Sequence, residues 1–185
     1  MARPFPFPAL LIAPVLLLSA CAGTPPVHAD PAALRLPASG PVEVSWSDPA
    51  RFTERSCRLD ERDEWVRRLA THARESAERR LPQGARLELR LIDIDRAGEC
   101  RPAPHGEELR VLSEATPPRI VLDYRFTGPD GRVREEIAVR LVDLAYLSRP
   151  RLGVGGGDPL LHEKRLLDDW LRRVADSWPA SRGDG

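Results

Sequence analysis

Lysine is almost missing from this sequence: Lys164 is the only one among 28 basic residues, and arginine supplies the rest. A surplus of positive charge is missing as well. Asp and Glu also total 28, so the formal net charge is zero. That balance argues against a general nucleic-acid binder, which carries a basic excess. The arginine bias reads as the mark of a GC-rich genome rather than an adaptation to phosphate. Short catalytic signatures are lacking too. No Gly-x-Ser-x-Gly elbow and no His-Glu-x-x-His pair occurs, and the four histidines are scattered. Gly153-Val154-Gly155-Gly156-Gly157 precedes a helix without the Lys-Ser/Thr of a phosphate loop, and Asp158 at the cap would repel an anion. These glycines therefore read as a loop. No catalytic residue can be named, and no cofactor is implied.

Long hydrophobic runs are also absent, with one short exception at the start. Arg3, the apolar stretch Ala9–Leu18 broken only by Pro14, and small Ser19 and Ala20 before Cys21 follow the order of a secretion signal. The stretch is shorter than the roughly 20 residues a membrane-spanning helix needs. Leu18-Ser19-Ala20-Cys21 resembles the bacterial lipobox, in which the Cys thiol takes diacylglycerol before cleavage. That resemblance implies lipidation of Cys21 and a lipid membrane as partner, with roughly 0.8 kcal/mol of anchoring per buried methylene. Ala22 rather than Asp follows it, which implies the periplasmic face of the outer membrane in a Gram-negative bacterium. The expected organisation is a signal peptide over 1–20, a lipidated N-terminus and flexible Pro/Ala/Gly-rich tether over 21–41, one domain over 42–178, and a disordered tail over 179–185.

With Cys21 acylated, Cys57 and Cys100 remain. Two cysteines in an oxidising compartment suggest one disulfide. Two free thiols, or a nucleophilic thiol, are the alternatives; the last would want a His partner, and nothing in the sequence pairs one with a Cys.

Along the domain, Val42, Val44 and Trp46 alternate with polar residues and predict a half-buried strand. A helix is expected from about Asp60, its cap, to Arg80, with Trp65, Leu69, Ala73 and Ala77 as one apolar stripe. Arg86–Asp95 reads as a strand in which Leu87, Leu89 and Leu91 take one face and Ile92 and Ile94 the other. Either its middle is buried on both sides or a bulge switches faces. A short strand is possible at Leu109–Leu112. Ile120–Phe126 and Val133–Leu141 form the best hairpin, joined by Thr127-Gly128-Pro129-Asp130-Gly131. A last helix runs from Pro159 to about Ala175, capped by Asp158. The expected fold is α+β, a two-layer sandwich: a mainly antiparallel sheet of about four strands with two helices on one face, in the order β-α-β-β-β-α.

Asp93, Asp95 and Glu99 offer the oxygen ligands that Ca²⁺ or Mg²⁺ prefers, but they lack the calcium-loop spacing. They read as a solvated strand end neutralised by Arg96 and Arg101, and no metal is assigned. With His105 they are also the groups an envelope hydrolase would use. Trp46, Trp65 and Trp170 fall on inward faces and read as core; an aromatic-lined ligand groove is the sharper alternative.

Several stretches in order carry a resemblance. They are Val42–Pro49 with Phe52, Leu81-Pro82-Gln83-Gly84, Asp93–Glu99, Pro118-Arg119-Ile120, Val142–Leu147, and Glu163–Leu167 with Trp170. Together, over about residues 42–175, they resemble the family called domain of unknown function 3016 (DUF3016). His162 departs from it by standing where an aromatic residue is usual, and the Cys57/Cys100 pair is not a general feature. The resemblance implies an exported proteobacterial protein and brings no catalytic residue. The expected function is a non-enzymatic envelope lipoprotein that binds an unidentified envelope protein or component. A small-ligand binder using the sheet–helix interface, and a hydrolase of envelope polymers, are the alternatives.

Overall fold

The computed structural model describes residues 33–54, 57, 62–104, 106, 108–149 and 157–178. The expected signal, Cys21, most of the tether, Asp60, His105, Gly153 to Gly156 and the tail lie outside the described residues. The elements are β1 (Leu34–Arg35), β2 (Val42–Trp46), α1 (Arg62–Glu78), β3 (Arg86–Asp95), β4 (Glu99–Pro102), β5 (Glu108–Val111), β6 (Arg119–Thr127), β7 (Val133–Val142) and α2 (Leu161–Ala175). A 3-10 turn, Pro49–Arg51, follows β2.

Alternation made the strands legible. Val42, Val44 and Trp46 are buried while Glu43 is exposed, and Ile120, Leu122, Tyr124 and Phe126 repeat the pattern on β6. Five strands form one sheet in the order β1-β2-β3-β6-β7. The β2–β3 pair is parallel, as the helical crossover through α1 requires, and the other pairs are antiparallel. β4 and β5 form a separate two-stranded sheet.

The α+β class and the mainly antiparallel sheet therefore hold, and the expected count of about four strands is corrected. β1 lies in the expected tether. It pairs with β2, and Leu36 just after it is buried. Two residues are too few to show a period. β4, Glu-Cys-Arg-Pro, has no apolar alternation because none of its residues is fully buried.

Two bulges set the faces. At Leu91/Asp93 the register with β6 slips, so Leu91 and Ile94 both reach the core. Of the two readings left open by the sequence, the bulge is the one observed. The second slip falls between Leu122 and Tyr124 of β6 and sets two residues of β7, Ile137 and Ala138, opposite Asp123 alone. Ala138 takes φ +52° and donates its N–H to Asp123 Oδ1 at 2.8 Å. The even alternation expected from Val133 to Leu141 is thereby broken. Val139 and Leu141 stand beside core residues of β6, whereas Val133 and Glu135 stand beside Thr127 and Arg125.

Trp65, Leu69, Ala73 and Ala77 of α1 are buried as the stripe predicted, joined by Val66 and Ala70. α2 begins at Leu161 rather than Pro159, because Asp158 caps the preceding turn, accepting from Leu160 N–H at 3.0 Å. Both helices share one hydrophobic cluster with the buried side chains of the sheet. All four tryptophans belong to it. Trp170 meets Tyr124 edge-on at 5.4 Å, and Trp178 stacks on Phe126 at 4.9 Å.

Candidate functional site

The end of β3 gathers the polar residues of the domain. The strap that follows the 3-10 turn lies along it. Glu54 N–H donates to Ile94 carbonyl at 2.9 Å, and Thr53 donates to both oxygens of Asp93, N–H at 2.6 Å and Oγ1 at 2.7 Å. Beyond β3 the chain turns through Arg96-Ala97-Gly98. Gly98 holds φ +84°, and a Cβ there would meet the Val111 carbonyl oxygen at 2.6 Å. Only glycine lets the turn approach β5 this closely.

Two buried carboxylates tie this turn to its surroundings. Glu54 pairs with Arg110 of β5 through Oε1 and accepts Arg96 N–H through Oε2 at 2.8 Å. Glu163 of α2 accepts Ala97 N–H at 2.8 Å, and burial pushes its carboxyl above the usual carboxylate range. Arg96 lies over the Trp65 ring at 5.3 Å and donates to Pro159 carbonyl at 2.7 Å; burial lowers its guanidinium pKa. Arg110 also reaches the Ala97 carbonyl at 3.3 Å and Cys100 Sγ at 3.9 Å. Cys57 and Cys100 form a disulfide, with Cα atoms 5.2 Å apart, that fastens the strap side to β4.

Between the strap (Phe52–Glu54) and the β4–β5 hairpin lies a cleft of about 550 Å³. Glu54, Asp95, Glu99, Glu108 and Arg119 line it, with Cys100 and Thr116 on its walls. Four carboxylates and one guanidinium line it, and two of the carboxylates are already paired, Glu54 with Arg110 and Glu99 with Arg101. Burial raises the Asp95 pKa, and the Glu54 carboxylate adds to the rise. Glu99 is paired with Arg101 Nε at 2.9 Å.

The structure thus divides the sequence candidates. Asp95 and Glu99 share the cleft, whereas Asp93 has both oxygens committed to Thr53. Among the described residues no group of three or more His, Cys, Asp or Glu could hold a metal ion. Trp46, Trp65 and Trp170 are core, between 3% and 5% exposed, rather than groove lining. His162 stands edge-on to Tyr146 at 4.8 Å.

Sequence reasoning missed buried Glu54 and Glu163 and half-buried Arg110 as a set, because charged residues in loops, short strands and helices read as solvated. It also missed a Ser–Asp–His cluster between the helices. Ser76 donates to Asp168, and His72 Nε2 lies 3.1 Å from the other Asp168 oxygen. The aspartate stands in the middle, so no imidazole is placed to take the Ser76 proton, and Ser76 is fully buried. The cluster pins α1 to α2.

Comparison with known proteins gives one match. The family described as "Protein of unknown function (DUF3016)" matches residues 40–173. No curated protein and no solved structure matches the chain.

Proposed function

The chain belongs to the DUF3016 family, and on that premise we propose that it is an exported, lipid-anchored binding protein of the Gram-negative envelope. On this reading residues 1–20 are a signal, Cys21 carries the acyl chains, and the domain works at the periplasmic face of the outer membrane. Both helices cover one face of the sheet in a two-layer arrangement, and the cleft receives a segment or headgroup of an envelope component bearing positive charge. The observation that carries the reading is the cleft itself: a hollow lined by four carboxylates and held by the disulfide and the Glu54–Arg110 pair. Rigid walls lower the ordering cost of binding. A weaker reading, acid-assisted hydrolysis, is favoured by Asp95, whose proton is held more tightly than usual inside the cleft.

A photocrosslinking residue at Thr116, inside the cleft, should capture an envelope component in intact cells. The same group at exposed Glu43 on β2 should not. No adduct from Thr116, or equal adducts from both sites, would refute cleft binding. Cys21→Ser should abolish palmitate incorporation and release the protein from membranes; unchanged labelling would refute the anchor. Loss of binding with Asp95→Asn, alongside a measured hydrolytic product, would favour the second reading.

A further inference from the structure

β7 ends the sheet order, and among the described residues no strand pairs with its outer edge. Ten residues long, it carries Val133, Ile137 and Val142 at 50%, 62% and 45% exposure. Open edges of this length recruit further strands unless something blocks them. A bulge commonly does so, but this bulge also changes the phase of the strand. Arg134 and Glu136 stand beside Phe126 and Tyr124, on the core side, as Val139 and Leu141 stand beside Leu122 and Ile120. Val133, Glu135, Arg140 and Val142 stand on the other side, beside Thr127, Arg125, Val121 and Arg119.

In a regular strand, residues on one face share parity, so antiparallel self-pairing matches odd with odd. The extra residue at Ile137–Ala138 lets odd residues of the first half match even residues of the second. About an axis between Ile137 and Ala138, Val133 meets Val142, and Glu135 meets Arg140, all on the same face. On the core side Arg134 meets Leu141 and Glu136 meets Val139. Symmetry repeats each pair twice. The register therefore keeps both faces in phase, and on the face of Val133, Glu135, Arg140 and Val142 it is self-complementary in charge and in apolar contact.

We propose that a second copy of this chain pairs antiparallel with the outer edge of β7, in this register, joining two five-stranded sheets into one. Glu135 lies across from Arg125 on β6, and the copy's Arg140 adds a guanidinium from the neighbouring strand.

The test uses the full chain carrying Cys21→Ser, so that no lipid drives association. Sedimentation velocity from about 10 µM to about 1 mM should show a concentration-dependent dimer. Glu135→Arg and Arg140→Glu should each weaken it by about tenfold, because like charges then meet twice. The combined variant should regain most of the loss. Val133→Cys with Val142→Cys should give disulfide-linked dimers under mild oxidation, a readout independent of the charge variants. A monomer throughout the range overturns the proposal. So does a dimer indifferent to both reversals, or one that the paired cysteines cannot link.

Discussion

At the scale of single residues, the polar set under the cleft does structural work that its exposed neighbours do not. Glu163 is the clearest case, because one oxygen holds Ala97 N–H and the other is buried with no hydrogen-bond partner among the described residues. Burial raises its folded pKa above the ordinary 4.5. The fold then binds a proton more tightly than the unfolded chain does. Stability must fall as pH rises from the unfolded value through the raised folded one, and level off beyond it. Glu163→Gln keeps an acceptor for Ala97 N–H but cannot ionise. Its stability relative to the parent chain should grow across that pH window in urea titrations. A difference independent of pH would refute the assignment. Little of this was legible: Glu163 belongs to a polar-looking helix start, and only the approach of the 96–98 turn makes it a buried ligand of the backbone.

At the scale of elements, bulges decide more than propensity does. The two apolar sets of opposite parity around Leu91 and Ile94 are legible in the sequence and allow a strand buried on both sides or a bulge; pairing with β6 decides for the bulge. The bulge in β7 left no such mark, because Val133, Glu135, Ile137, Val139 and Leu141 keep one parity. Only pairing with β6 shows that Ile137 and Ala138 share one partner position. Ala138 holds a left-handed φ of +52°, a conformation that strains a residue bearing a Cβ. Ala138→Gly should therefore raise the thermal midpoint, with a gain of up to about 1 kcal/mol. A lower midpoint would mean that the methyl packs usefully at the edge.

At the scale of the whole molecule, the disulfide spans strap and hairpin across a sequence separation of 43 residues. Chain entropy puts its stabilisation at roughly 4 kcal/mol. Replacing both cysteines by serine should lower the unfolding free energy by about that amount in urea denaturation, while leaving the hydrophobic cluster of the main sheet native. A negligible loss would mean that the hairpin is held by Arg110 and Glu54 alone. The charged cleft is a whole-molecule property in the same sense. Its walls come from the strap, the end of β3, β4, β5 and the start of β6.

The sequence by itself determined the α+β class, the two helices, the bounds of β2 and β3 and the β6–β7 hairpin. Each of these rests on a local period or turn signal, carried by residues close together in the chain. It also supplied the two cysteines, whose pairing the tertiary structure then realised. Tertiary structure alone decided that Leu34 and Arg35 add a strand, and that β4 and β5 stand apart as their own sheet. It alone placed Glu54, Arg110 and Glu163 around one turn, and Asp95 and Glu99 in one cleft while Asp93 holds a loop. Those facts depend on segments meeting in space, as far apart in sequence as Ala97 and Glu163, and hydrophobic periodicity carries no record of such meetings.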